Sequence, residues 1–396
     1  MNILGKIFKQ TFWQILGKII TSLSTFIIIG AVARNYKEAG TGIFTLALTY
    51  LTMFFLMNDF GFNAHMLRKS QIEWQKLLGI RILWSLVLIL LALSLLPFLP
   101  FASLNFKQAV LYGVLAILGS GVFITCNLIF QQRLRYDLSV LSSSIGTLIY
   151  LLLILNLAGN QASLSFLTFA FMIGWIFIAV ISLALVFPFI KNILPIFDFK
   201  FAKNLVKDSW PIAATLILNV VYFRMDVFLI AFFKGSFDVG IYNIAYQIFQ
   251  SVLVLPTFIM NAYYPLMLKS LNGIRSVGLS LLGLASFGTL ITLIFAPFLI
   301  NILTGGGFLG AVQSLQVLSF GFPAYFLSSL LMWFLITRNK YKIMLLLYTS
   351  GLTVNLILNL IYIPQYSFFA ASWITVISEY AILLLQIIVL RGILLK

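Results

Sequence analysis

Acidic residues, cysteine and histidine are nearly missing from this chain. Its 396 residues include 9 Asp and Glu, one cysteine and one histidine, and charged residues of both signs make up 9%. A soluble domain averages about 25% charged residues. The shortage, with 62% hydrophobic residues and a mean hydropathy of +1.09, identifies a polytopic membrane protein. A single cysteine, Cys126, excludes an intramolecular disulfide, and with His65 alone beside it there is no Cys/His metal cluster. No glycine-rich loop ends in Gly-Lys-Ser/Thr, so the chain is not a P-loop pump, and no loop is long enough for a soluble catalytic domain. No enzymatic activity and no cofactor is expected.

Against those absences stand long apolar runs. Twelve spans are read at 10–32, 41–60, 79–99, 108–131, 138–158, 164–190, 206–232, 240–263, 277–303, 310–337, 341–362 and 369–391. Ahead of the first, Ile3, Leu4, Ile7 and Phe8 share one face of a short amphipathic helix beside Lys6 and Lys9, without a small-x-small cleavage site after it. The net charge of +16 is a topology signal rather than a nucleic-acid footprint. Basic residues gather in alternate loops, at Arg68, Lys69 and Lys76, at Arg133 and Arg135, at Lys191, Lys200 and Lys203, at Lys269 and Arg275, and at Arg338, Lys340 and Lys342. The intervening loops hold only Arg34, Lys37, Lys107 and Lys234. The positive-inside rule therefore puts both termini in the cytoplasm.

Displacing the chain by half its length aligns Gly42-Ile43-Phe44-Thr45-Leu46-Ala47 with Gly240-Ile241-Tyr242-Asn243-Ile244-Ala245. Two six-helix bundles in the same orientation, 1–190 and 206–396 joined by a cytoplasmic linker 191–205, are the expected architecture, a parallel repeat about an axis along the membrane normal.

Polar residues inside spans are the candidates for function, because a charge at the bilayer centre costs roughly 2.5–3.5 kcal/mol on insertion scales. Thr215, Asn219, Tyr222 and Asp226 form a stripe on the seventh span, which also carries Arg224. Asn243, Gln247 and Gln250 line one face of the eighth, and Glu379 falls near the middle of the twelfth. Lys18 on the first span is as consistent with a snorkelling side chain as with a cavity lysine, and Asp59 and Arg81 as consistent with interfacial charges. The Thr stripes Thr45, Thr49 and Thr52 suit packing and backbone bonding better than ligand contact. Pro256 and Pro323, inside the eighth and tenth spans, predict kinks.

Several segments carry a family resemblance. Phe12-Trp13, Ala33-Arg34-Asn35-Tyr36 and Gly40-Thr41-Gly42-Ile43-Phe44 are similar to a first hairpin, and Phe60-Gly61-Phe62 with Arg68 to the close of a second helix. Asp226-Val227-Phe228-Leu229-Ile230, then Val239 to Ala245, then Tyr264-Pro265 are the most specific. In order and spacing the chain resembles the polysaccharide repeat-unit flippases (Wzx-type) of the multidrug/oligosaccharidyl-lipid/polysaccharide (MOP) exporter superfamily. The resemblance implies an all-α, MATE-like fold in a bacterial cytoplasmic membrane. It implies translocation of an undecaprenyl-pyrophosphate-linked oligosaccharide for capsule, O-antigen or exopolysaccharide assembly, by alternating access, alongside membrane lipid and other polysaccharide-assembly proteins. Asp226 would match the acid of helix seven and Arg34 the base ending helix one. Lys18, Arg81 or Arg224 would supply pyrophosphate-binding charge, and Asp226, Glu379 or Asp59 would bind a coupling proton or sodium ion. A MATE-like multidrug or cation antiporter, a lipid II flippase, and a non-transporting scaffold or polymerase of the same pathway are the alternatives.

Overall fold

In a hydrocarbon solvent every backbone polar group has to be satisfied within its own segment, which selects helices for a chain this apolar. A computed structural model describes residues 3–67, 72–190, 192–268, 270, 273–338 and 340–394, and the side chains at 3–9, 219–221, 262, 265–266, 341 and 392–394 lie outside that description. Among the described residues there are helices and no strands. The proposed amphipathic face at Ile3 to Phe8, the side chain of Asn219, and the basic residues Lys6, Lys9, Arg68, Lys69, Lys191, Lys269 and Lys396 fall outside what is described.

The helices are α1 (Ile3–Asp59), α2 (Phe62–Met66), α3 (Trp74–Leu95), α4 (Leu104–Gly113), α5 (Ala116–Gln132), α6 (Tyr136–Gly159) and α7 (Leu164–Val186), followed by α8 (Phe199–Phe233), α9 (Ser236–Val252), α10 (Val254–Met267), α11 (Ile274–Thr304), α12 (Leu309–Ser319), α13 (Phe322–Thr337) and α14 (Tyr341–Leu394). Among the described residues, eight helical stretches are long and apolar enough to cross a membrane, or ten if each of two bent pairs is one span. The two longest, α1 and α14, are interrupted by non-helical backbone at Lys37 and Ser367. An unbroken helix of 57 residues would run about 85 Å, far beyond a hydrocarbon core of about 30 Å. Each interruption divides its helix into two stretches of crossing length, which is compatible with the twelve spans read from the sequence.

The chain forms two compact units, Met1–Val220 and Val221–Lys396. The sequence reading starts the second bundle at 206, but residues 199–213 pack into the first unit. Phe201, Leu205 and Ala213 are buried with Phe60, Phe62, Met66, Leu77, Ile80 and Leu128. Ahead of them the linker is strapped to the start of α3. The Ile196 amide donates to the Gln75 carbonyl at 3.0 Å, and Lys76 bridges Glu73 at 2.7 Å and Asp198 at 3.0 Å. Gly79 permits this approach, since a Cβ there would lie 2.3 Å from the Ile196 carbonyl oxygen.

The repeat is visible in the backbone of the units taken separately. Lys37 (φ 56°, ψ −166°) and Gly235 (φ 90°, ψ −174°) stand half a chain length apart with the same rare conformation, each followed five residues later by the glycine of the aligned segment. In the later part of each unit the fourth crossing is broken in the middle, between α4 and α5 and between α12 and α13. The helix after each break ends at an arginine of matching geometry, Arg133 (φ −88°, ψ 0°) and Arg338 (φ −94°, ψ 8°). The α12–α13 pair bends by 43° just before Pro323, and α9 stops at Val252 shortly before Pro256. Proline lacks an amide hydrogen, so it fits the first turn of a restarted helix. Pro364 lies three residues before the interruption at Ser367, whereas Pro211 and Pro297 lie inside helix without one, so proline alone did not mark a break.

Candidate functional site

In the unit Val221–Lys396, residues spaced four apart put polar groups of three helices on facing stripes. Tyr222 and Asp226 lie on α8, Tyr242 and Tyr246 on α9, and Thr375 and Glu379 on α14. They meet in a buried network. The Tyr242 hydroxyl donates to Asp226 Oδ2, and the Val227 amide donates to Oδ1 at 2.8 Å. Thr375 Oγ1 is 3.5 Å from the Tyr242 hydroxyl, and Tyr242 stacks on Tyr246 at 5.3 Å between ring centroids. The Tyr246 hydroxyl donates to the Phe223 carbonyl at 3.2 Å. Tyr222 donates to Glu379 Oε1 at 2.9 Å. Asp226 and Glu379 are 4% and 5% exposed, so each carboxylate is removed from solvent and depends on these hydroxyl donors.

Arg224 is half-buried, and no salt bridge among the described residues includes it. Asn243 is buried on α9, one residue from Tyr242, and Gln247 is half-buried one turn on. A second layer lies within α14. Asn359 donates to Asn355 Oδ1 at 2.9 Å, and Asn355 donates to Ser378 at 3.1 Å. The buried oxygens Asn359 Oδ1 and Gln386 Oε1 have no hydrogen-bond partner among the described residues. Sequence reading passed over Asn355, Asn359 and Tyr242. The asparagines were detectable as a four-residue polar spacing in an apolar span, whereas a tyrosine in an apolar run looks like packing.

The corresponding place in the unit Met1–Val220 is apolar. Half a chain length before Asp226 and Tyr242 stand Ile28 and Phe44, both buried in a cluster with Val32, Leu151, Ile154, Leu167 and Ala170. The carboxylate network belongs to one half of the repeat only.

The charges of the first unit serve its frame. Phe60 (φ 48°) and Gly61 (φ 71°) end α1 in left-handed conformations, leaving the last carbonyls of the helix to find donors. Arg81, 0% exposed, supplies them. One guanidinium nitrogen donates to the Asn58 carbonyl and, at 2.9 Å, to the Asp59 carbonyl, while the other donates to Asn63 Oδ1 at 2.8 Å. The Phe62 ring lies 5.1 Å from the guanidinium, and Asp59 Oδ1 is 3.8 Å away. Asn58 in turn donates to Ser85 at 2.9 Å and to the Ile117 carbonyl at 2.8 Å. A positive charge at a helix C-terminus is favourable, and here it is fully enclosed. Arg81 and Asp59 therefore form a helix-end lock, and the Arg81 guanidinium offers no open surface to a ligand.

Lys18 and Arg34 are exposed on α1. Near Lys18, Thr21 donates to the Gly17 carbonyl at 2.9 Å and Thr25 to that of Thr21 at 2.8 Å, so both hydroxyls are spent on their own helix. Thr45 and Thr52 do the same toward Thr41 and Leu48, each at 2.8 Å. His65 faces Asp208 at 3.7 Å.

Residues 7–271 match a family model described as polysaccharide biosynthesis protein. No curated protein sequence matches the chain. Among solved structures, a lipid II flippase MurJ in an inward closed conformation superposes with a TM-score of 0.79 at 16% identity, over 96% of this chain and 87% of that one. An inward-facing multidrug resistance MATE family transporter of the MOP superfamily gives 0.69 at 11% identity, covering 94% of each chain. A MOP superfamily transporter from Pyrococcus furiosus gives 0.65 at 14% identity, over 98% of this chain and 95% of that one. At such identities these likenesses establish the fold, which is the MATE-like arrangement of two helical bundles.

Proposed function

Because the chain belongs to the polysaccharide biosynthesis protein family, we infer that it is a flippase for a lipid-linked oligosaccharide. The family match over residues 7–271 is the observation that carries this reading. The fold is shared with a lipid II flippase and with multidrug transporters, so fold by itself leaves both a lipid-linked sugar and a drug cation open. The substrate inferred is an undecaprenyl-pyrophosphate-linked repeat unit, moved across a bacterial cytoplasmic membrane toward the outer leaflet, with both termini on the cytoplasmic side.

The chemistry of the second unit supports that substrate. A pyrophosphate needs a cation in a low-dielectric setting, and Arg224 is a half-buried arginine there that enters no salt bridge among the described residues. Sugar hydroxyls need amides and hydroxyls, which Asn243, Gln247 and Thr375 offer. Asp226, held by Tyr242 beside Thr375, and Glu379, held by Tyr222, are the groups able to exchange a proton or a sodium ion during alternating access. Transport is vectorial binding and release, so no bond of the substrate is made or broken.

The test is flipping of a labelled undecaprenyl-pyrophosphate oligosaccharide in proteoliposomes by wild type, Arg224→Ala and Asp226→Asn. Wild-type flipping that falls at least about ten-fold in both variants, the loss expected when a charge-assisted contact worth ~1.5–3 kcal/mol goes, is the outcome expected. Flipping that survives in both would move the site away from α8. A folded wild type that flips nothing yet drives cation-coupled drug efflux would assign the antiporter function instead.

A further inference from the structure

A cavity of about 280 Å³ opens in the first unit, apart from the network around Asp226. Its walls come from three places where apolar helix gives way to polar chain: the start of α3, the end of α5, and the segment after α7. Side-chain donors in its lining include Gln75, Gln132, Arg133 and Asn192, and Trp74, Phe189 and Ile129 contribute apolar wall. Arg133 is exposed and enters no salt bridge among the described residues. The Asn192 side-chain oxygen accepts from the Leu194 amide at 3.0 Å, which turns its NH2 away to donate elsewhere. The acid in the wall, Glu73, is neutralised by Lys76 at 2.7 Å. What remains is a donor-rich cavity whose one lining cation, Arg133, enters no ion pair among the described residues, while Glu73 is held by Lys76.

Its surroundings are apolar and uncovered. Leu134 and Phe187, neighbours of the cavity in the chain, are exposed, as are Leu194, Phe197 and Phe199 in the strapped linker. A soluble anion has no use for such a rim. An amphiphile does, because its headgroup needs the donors while its tails need the apolar edge.

We propose that this cavity binds the phosphodiester headgroup of an anionic membrane phospholipid, with Arg133, Gln132 and Asn192 as the headgroup donors and Leu134 and Phe187 flanking the acyl chains. The site lies on the membrane face where the basic loops gather, and it is independent of which substrate is flipped. Because the linker forms one wall, a bound lipid would also hold the strap against α3.

Native mass spectrometry of the delipidated full-length protein tests the proposal, by titration with phosphatidylglycerol, phosphatidylcholine or inorganic phosphate. Phosphatidylglycerol is expected to bind in preference to phosphatidylcholine. Arg133→Gln and Asn192→Asp should each weaken it roughly five-fold, the worth of one surface charge at a membrane. Arg275→Gln, in the first turn of α11 in the other unit, should leave it unchanged. If Arg133→Gln does not fold, Asn192→Asp at an exposed position carries the test. Equal binding of the two lipids, or wild-type affinity in both variants, overturns the proposal. Displacement of the lipid by inorganic phosphate at similar concentration would make the cavity a free-anion site and overturn the lipid assignment.

Discussion

Arg81 and Arg224 are both arginines inside apolar spans, and their surroundings separate their roles. Arg81 is enclosed by the Asn58 and Asp59 carbonyls, the Asn63 side chain and the Phe62 ring. Arg81→Ala would leave these acceptors buried and unpaired, which for a broken buried charge network costs about 3–5 kcal/mol. The expected result is a sharp fall in the melting temperature of the purified protein. Arg81→Lys should recover only part of it, since an ammonium cannot reproduce the planar fork. A melting temperature unchanged in Arg81→Ala would show that the lock contributes nothing. Arg224 is half-buried and enters no salt bridge among the described residues, so its replacement should change transport before it changes stability. The sequence offered both as charges in a membrane. Which was frame and which was available depended on residues such as Asn63 and Phe62, distant from Arg81 along the chain.

At the scale of elements, the interruptions at Lys37 and Gly235 show the repeat spending strain unevenly. A conformation with φ near +60° and ψ near ±170° is essentially restricted to glycine and costs other residues about 1–3 kcal/mol. Gly235 meets that requirement and Lys37 does not. Lys37→Gly should therefore raise the melting temperature, and Gly235→Ala should lower it by a comparable amount. Space is not the issue at Gly235, since an added Cβ would meet nothing within 4 Å. Opposite shifts support a shared backbone requirement, and no shift in either variant would remove it. The positions of spans were legible because 20-residue apolar runs and basic loops follow from bilayer thickness and topology. The breaks in the fourth and tenth crossings were harder to read. Gly113 and Gly321 flank them, but glycines are scattered through the other spans as well.

At the scale of the whole molecule, the linker is the segment whose description changed most. It reads as a charged tether, yet Ile196 is hydrogen-bonded to Gln75, and Asp198 is held by the Phe201 amide at 2.9 Å and by Lys76. Those bonds, the backbone one first, keep the Asp198 carboxyl below its usual range. A depressed carboxylate pKa stabilises the folded state fully above the unfolded value of about 3.9, and that contribution is lost as pH falls through the lowered value. The Ile196 amide should accordingly stay protected from hydrogen exchange at pH 5 and lose protection only below about pH 4. Equal protection at both would detach Asp198 from the strap. Asp198→Asn should lower protection at pH 5 as well.

Composition, apolar periodicity and the distribution of lysine and arginine determined that this chain is an all-helical, multi-pass membrane protein. Those properties are set by the solvent each residue needs, and solvent preference is written locally. The fate of the polar residues was decided only by tertiary structure. Half a chain length apart, Ile28 with Phe44 and Asp226 with Tyr242 occupy matching places, yet one pair is core and the other a buried acid with its donor. A carboxylate inside a membrane is intelligible only with its partners, and those partners come from helices that sequence spacing alone does not bring together.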